Sequence, residues 1–114
     1  MSSPNDIALD ANGNLFVSDG GNKDIEEIPY SNGSYGAPIV LASGFFAPYG
    51  IAVDAFGHIF VADIDAVEEI SCSNGACGAP VDVGSGFNNP GNVAIDGNGR
   101  LYVVDLHNLW QLTP

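Results

Sequence analysis

Ile51-Ala52-Val53-Asp54-Ala55-Phe56-Gly57-His58-Ile59-Phe60-Val61-Ala62-Asp63 is the stretch whose reading decides the fold. Two apolar, β-branched runs of strand length flank a turn at Gly57, the pattern of paired antiparallel strands. The same arrangement stands 44 residues earlier, where Ile7-Ala8-Leu9-Asp10 runs through Asn12-Gly13-Asn14 into Leu15-Phe16-Val17-Ser18-Asp19. It recurs 42 residues later, where Val93-Ala94-Ile95-Asp96 runs through Asn98-Gly99-Arg100 into Leu101-Tyr102-Val103-Val104-Asp105. Each copy continues into a third apolar run: Ile25-Glu26-Glu27-Ile28, Val67-Glu68-Glu69-Ile70 and Leu109-Trp110-Gln111-Leu112. The first two copies add a fourth, around residues 37–41 and 79–83, then close on Gly-Phe and reach Pro48 and Pro90. No segment carries a convincing 3.6-residue apolar period.

Groups of four short strands repeating every 42 to 44 residues have the period of a propeller blade. The chain divides into blade one (about 4–47), blade two (about 48–89) and blade three (about 90–114), the last without its outer strand. The motif Pro-x-x-Ile-Ala-Val-Asp-x-x-Gly-x-Ile-x-Val-Ala-Asp, running from Pro48 to Asp63, resembles the NHL-repeat family. The resemblance covers essentially the whole chain and implies an all-β propeller of four-stranded antiparallel blades. Propellers close with about 4 to 8 blades, more than this chain supplies. Two copies related by a two-fold axis would make six, so the expectation is a homodimer that completes a six-bladed ring.

Composition narrows the partners. Fourteen acidic residues stand against Lys23 and Arg100, for a formal net charge of −12. Nucleic-acid binding and attachment to an anionic membrane both rely on Lys and Arg, so neither is expected. No stretch approaches the roughly 20 apolar residues of a membrane helix. The start, Met-Ser-Ser-Pro, has neither a basic nor an apolar leader region, and no signal peptide is expected there.

Cys72 and Cys77 flank Ser73-Asn74-Gly75-Ala76, in register with Tyr30 and Tyr35 around Ser31-Asn32-Gly33-Ser34. Asn-Gly between short strands signals a type I′ hairpin. The residues one step beyond the turn then form a close, non-hydrogen-bonded pair, within disulfide reach. Cys-x4-Cys with no nearby His pair is a poor metal set, so a Cys72–Cys77 disulfide is expected, and with it an extracytoplasmic or secreted setting.

Antiparallel first and second strands place the loops entering the first and leaving the second on one face of the ring. That face collects Asn5, Asp6, Asp19, Asn22, Asp24, Tyr49, Asp63, Asp65, Asn92, Asp105, His107 and Asn108. The resemblance implies that ligands meet such propellers here, and Asp6, Asp19, Tyr49, Asp63, Asp65, Asn92, Asp105 and His107 are the candidate ligand-binding residues. Ca²⁺ is the one ion the Asp-rich loops would suit. The simpler reading is that their carboxylates satisfy nearby backbone, and no metal or cofactor is assigned. His58 lies at a turn on the opposite face and reads as a plain surface residue. Glu26-Glu27 and Glu68-Glu69 are not catalytic pairs, because neighbours on a strand point to opposite faces. No nucleophile elbow, zinc-protease motif or phosphate loop is present, so no catalytic residue is assigned. The preferred function is a non-catalytic scaffold for binding or self-assembly. The alternative, implied by the resemblance, is a metal-dependent lyase or lactone hydrolase with its site at the central channel.

Overall fold

The computed structural model describes residues 1–73 and 76–113; Asn74, Gly75 and Pro114, and with them the second expected Asn-Gly turn, lie outside the described residues. Strands β1 (Pro4–Leu9), β2 (Leu15–Asp19) and β3 (Asp24–Ile28) run as an antiparallel meander. A hairpin of β4 (Tyr30–Ser31) and β5 (Ser34–Tyr35) follows, and β6 (Ile39–Ser43) returns to pair with β3. Blade two repeats the order with β7 (Pro48–Val53), β8 (Ile59–Asp63) and β9 (Ala66–Ile70), the hairpin β10 (Cys72–Ser73) and β11 (Ala76–Cys77), and β12 (Val81–Ser85). Blade three contributes β13 (Asn92–Ile95), β14 (Leu101–Val104) and β15 (Leu109–Leu112) as a three-stranded sheet among the described residues. No helix occurs among the described residues.

The turns form for local reasons. Asn32 and Gly33 take φ of 52° and 81°, the left-handed pair a type I′ turn requires. Asp10 Oδ1 accepts the Asn12 and Asn14 amides, Asp54 Oδ1 those of Phe56 and His58, and Asp96 Oδ1 those of Asn98 and Arg100. These carboxylates thus serve their own hairpins, as the turn reading expects.

The core lies between blades rather than within them. Phe16, Ile25, Phe45, Ile51, Ile59, Val61 and Ile70 fill the layer between blades one and two. Ala52, Phe60, Val67, Phe87, Val93, Leu101 and Val103 fill the next. Phe45 and Phe87, from the repeated Gly-Phe, plug equivalent positions, one in each layer. The outer faces have no such cover: Ile7 and Leu9 are 55% and 59% exposed on blade one, and Val104 and Leu109 are 50% and 70% exposed on blade three.

Candidate functional site

The first strands of the three sheets, β1, β7 and β13, start side by side, β7 between the other two, with their first residues at one end of the blades. Asn5 donates its side-chain amide to Pro48 O at 2.8 Å, the Ile51 amide donates to Asp6 Oδ2 at 3.1 Å, and the Ser18 hydroxyl donates to Tyr49 O. A Cβ at Gly50 would lie 2.6 Å from Asn92 Cα and 2.8 Å from Gly91 O, so only glycine permits this approach of β7 to β13. Asp6 and Asn92 therefore flank Gly50 at one level, each with a side-chain oxygen accepting the next residue's amide, at 2.9 Å for Asp6 and 3.0 Å for Asn92. Tyr49 stands exposed beside them, over a shallow apolar recess of about 220 Å³ shared with Ile64 and Pro90.

The aspartates that end the second strands occupy a different layer. Asp19 and Asp63 are buried, at 0% and 2% exposure, beneath the loops that lead into the blades. Asp19 accepts the amides of Ser2, Ser3, Gly21 and Asn22 and the Asn22 side chain. Asp63 accepts those of Phe46 and Ala47, and Asp105 those of Asn88, His107 and Asn108. Burial opposes ionisation of Asp19, but the Ser3, Ser2 and Asn22 amides outweigh it and hold the carboxyl far below its ordinary range. The His107 amide leads in depressing Asp105, helped by Asn88, against burial. These groups pin loops and do not present free oxygens at the surface.

One further position lies diagonally across the sheet from each of these aspartates, opposite the residue two before it. Glu26 pairs with Val17, Glu68 with Val61 and Trp110 with Val103 in matching registers. The Trp110 indole donates to Asp105 Oδ2 at 2.9 Å and its ring meets Phe87 edge-on. Glu68 has no such hydrogen fixed in place. Burial, then a hydrogen bond to Asp63 and the charges of Asp63 and Asp82, push its carboxyl up to about 7. Glu26 is raised too, by burial first and then by Asp24 and Asp19. Asp24, Glu26 and Asp19 bring carboxylate oxygens within 4.8 Å of one another, all buried, and Asp24 Oδ1 and Glu26 Oε2 have no hydrogen-bond partner. Asp24 thus departs from the simple turn reading, and Glu26 joins it on the same face. The signal was present in Asp24-Ile25-Glu26, because alternate residues of a strand share a face.

The remaining candidates do not join a cluster. Asp65 and His107 are exposed on short loops, and no side-chain partner is found for either among the described residues. His58 departs from its expected role as a plain surface residue. It is half-buried, its Nδ1 accepts the Cys72 amide at 3.3 Å, and with Asp10 and Glu27 it lines a cleft of about 580 Å³ between blades one and two. Cys72 and Cys77 form the expected disulfide, with Cα atoms 4.1 Å apart, where Tyr30 and Tyr35 stack at 4.9 Å between ring centroids.

No protein-family model and no curated protein sequence matches the chain. Solved structures do. The gluconolactonase of Xanthomonas campestris superposes over 99% of this chain and 38% of its own, with a TM-score of 0.78 and 22% identity. A putative gluconolactonase matches over 96% of this chain and 38% of its own, with a TM-score of 0.67 and 25% identity. Regucalcin of Agrobacterium tumefaciens, described as a calcium-binding protein, matches over 96% and 45%, with a TM-score of 0.69 and 20% identity.

The fold is that of a β-propeller. This segment spans less than half the length of each of these three proteins. The resemblance to NHL repeats is confirmed only at the level of the propeller. The neighbours lend no support to the non-catalytic scaffold reading, and at 25% identity or less the likeness shows the fold alone.

Proposed function

We propose that the chain supplies part of a propeller hydrolase that opens a lactone or comparable cyclic ester at the channel mouth. The observation that carries this reading is the placement of Asp6 and Asn92 on either side of Gly50, at the starts of the two innermost strands that flank β7. A carboxylate and a carboxamide oxygen are hard donors that suit a divalent cation such as Ca²⁺. Such a cation would polarise the ester carbonyl. Two side chains fill only part of a coordination shell, so further oxygens come from blades outside this segment. The likeness to proteins described as gluconolactonases and as calcium-binding supports the class of reaction. The test is hydrolysis of a sugar lactone followed by acid release in a pH-stat, with and without added Ca²⁺. Asp6→Asn and Asn92→Ala should each lower turnover at least tenfold with the fold intact; activity equal to the parent would defeat the assignment.

The uncovered apolar faces favour a second element of the reading, closure of the ring by another copy. Two chains would bury Ile7 and Leu9 of one against Val104 and Leu109 of the other at two equivalent junctions. They would also bring Asp6 and Asn92 twice to one channel. Light scattering at moderate salt should report twice the chain mass, and a folded monomer at micromolar concentration would refute pairing. The disulfide supports an oxidising, extracytoplasmic setting for the assembly.

A further inference from the structure

We propose that the acidic pocket at the edge of blade one, formed by Asp24 and Glu26 over Asp19, binds one Ca²⁺ ion that is separate from the channel mouth. The three blades meet the same demand in different ways. Blade three places an indole N–H against its aspartate through Trp110. Blade two places Glu68 there, and Ala66 stands opposite Asp63, so only one further carboxylate lies beside that aspartate. Blade one has Asp24 opposite Asp19 and Glu26 two residues on, both on the same face. One proton cannot serve two extra carboxylates beside Asp19, and the nearest oxygens of all three groups lie within 4.8 Å.

The burial is what demands compensation. Asp24 is 6% and Glu26 4% exposed, and Asp24 Oδ1 and Glu26 Oε2 accept nothing from the protein. A buried, unpaired carboxylate is costly unless a cation or a proton meets it. Asp19 is already surrounded by amide donors, so it contributes charge while Asp24 and Glu26 contribute lone pairs. All donors are hard oxygens, with no His or Cys among them, which selects Ca²⁺ or Mg²⁺ over transition metals. Oxygens bound to one Ca²⁺ lie roughly 2.3–2.6 Å from it, so pairs up to about 5 Å apart fit a single shell. Mg²⁺ demands near-ideal octahedral geometry and gives up its water reluctantly, so two carboxylates held in place by a strand register suit it less well than Ca²⁺.

Thermal melting of the full chain, followed by circular dichroism at pH 7.5, tests the pocket. Adding 5 mM Ca²⁺ (about 50-fold above a dissociation constant of roughly 10⁻⁴ M) should raise the midpoint by about 5 °C or more, and Mg²⁺ should do less. Glu26→Gln keeps the shape and removes a charge, so it should fold and lose the Ca²⁺ response; Asp24→Asn should do the same. Calorimetry should then count one ion fewer per chain than in the parent. Asp6→Asn should keep the blade-one response, which separates this pocket from the proposed catalytic cation. The proposal fails if Ca²⁺ leaves the parent's midpoint unchanged, or if both blade-one variants respond as the parent does. It also fails if acidification to pH 5.5 stabilises the parent and Ca²⁺ does not, because a shared proton would then be the whole answer.

Discussion

Blades one and two share strand order, the turn between their first two strands and a buried phenylalanine, yet they fill two equivalent positions with different chemistry. At the outer hairpin, Tyr30 faces Tyr35 in one blade, and Cys72 is bonded to Cys77 in the next. Beside the buried aspartate, blade one has Asp24 where blade two has Ala66. The backbone slot is the same in both, so the repeat specifies position and leaves the side chain free to vary. What it does not leave free is the aspartate itself, because the loop amides above it have no other acceptor.

The aspartate should therefore show the largest effect. Asp63→Ala empties a buried position and takes the acceptor from the Phe46 and Ala47 amides, at a cost of about 3 kcal/mol in urea unfolding. Asp65→Ala, on an exposed loop, should stay within about 0.5 kcal/mol. Equal losses from the two would break the distinction between loop anchor and surface acid. The hairpin contrast comes next. Unfolded, non-reduced protein should titrate with no free thiol, and reduction should cost roughly 2 kcal/mol because the closed loop is short. Tyr30→Ala, which removes the equivalent non-covalent pair, should cost only about 1 kcal/mol by the same unfolding assay. A larger loss from Tyr30→Ala than from reduction would reverse the comparison.

The smallest effect is the dependence on pH. Glu68 titrates near 7 in the fold against an ordinary 4.5. The folded chain holds the extra proton between those values, so stability falls as pH rises through that window. Glu68 is half-exposed, and screening keeps its share below about 1 kcal/mol. Asp96 works in the other direction. Led by the Arg100 amide, its surroundings lower it from 3.8 to about 2, so stability present above 3.8 is lost as pH falls towards 2. Melting midpoints should accordingly peak near pH 4 to 5 and decline on both sides. Glu68→Gln should flatten the decline on the alkaline side; an unchanged profile would remove Glu68 as its source.

The strands, their turns and the disulfide were legible in the sequence because each rests on local rules. Apolar, β-branched runs mark Ile51 to Val53 and Ile59 to Asp63, and left-handed backbone selects Asn32-Gly33. That Tyr49, Asp6 and Asn92 stand at the same end of the blades also follows from strand direction. The partnership of Asp19 with Asp24 and Glu26 was only half legible. Asp24 and Glu26 visibly share a face, but their facing Asp19 depends on the register of β2 against β3 across a loop of irregular length.

The sequence by itself determined the acidic composition of the chain, and also its blade period, its paired cysteines and its strands, which are set by interactions a few residues long. Only the tertiary structure decided which carboxylates are buried. Asp19 and Asp63 vanish beneath loops that enter from elsewhere in the chain, while Asp65 and Asp105 lie nearer to water. Burial is a property of what packs above a residue. That neighbour lies some sixteen or more positions away, at Ser2 and Ser3 for Asp19 and at Phe46 and Ala47 for Asp63, so its approach is set by the stacking of strands and blades.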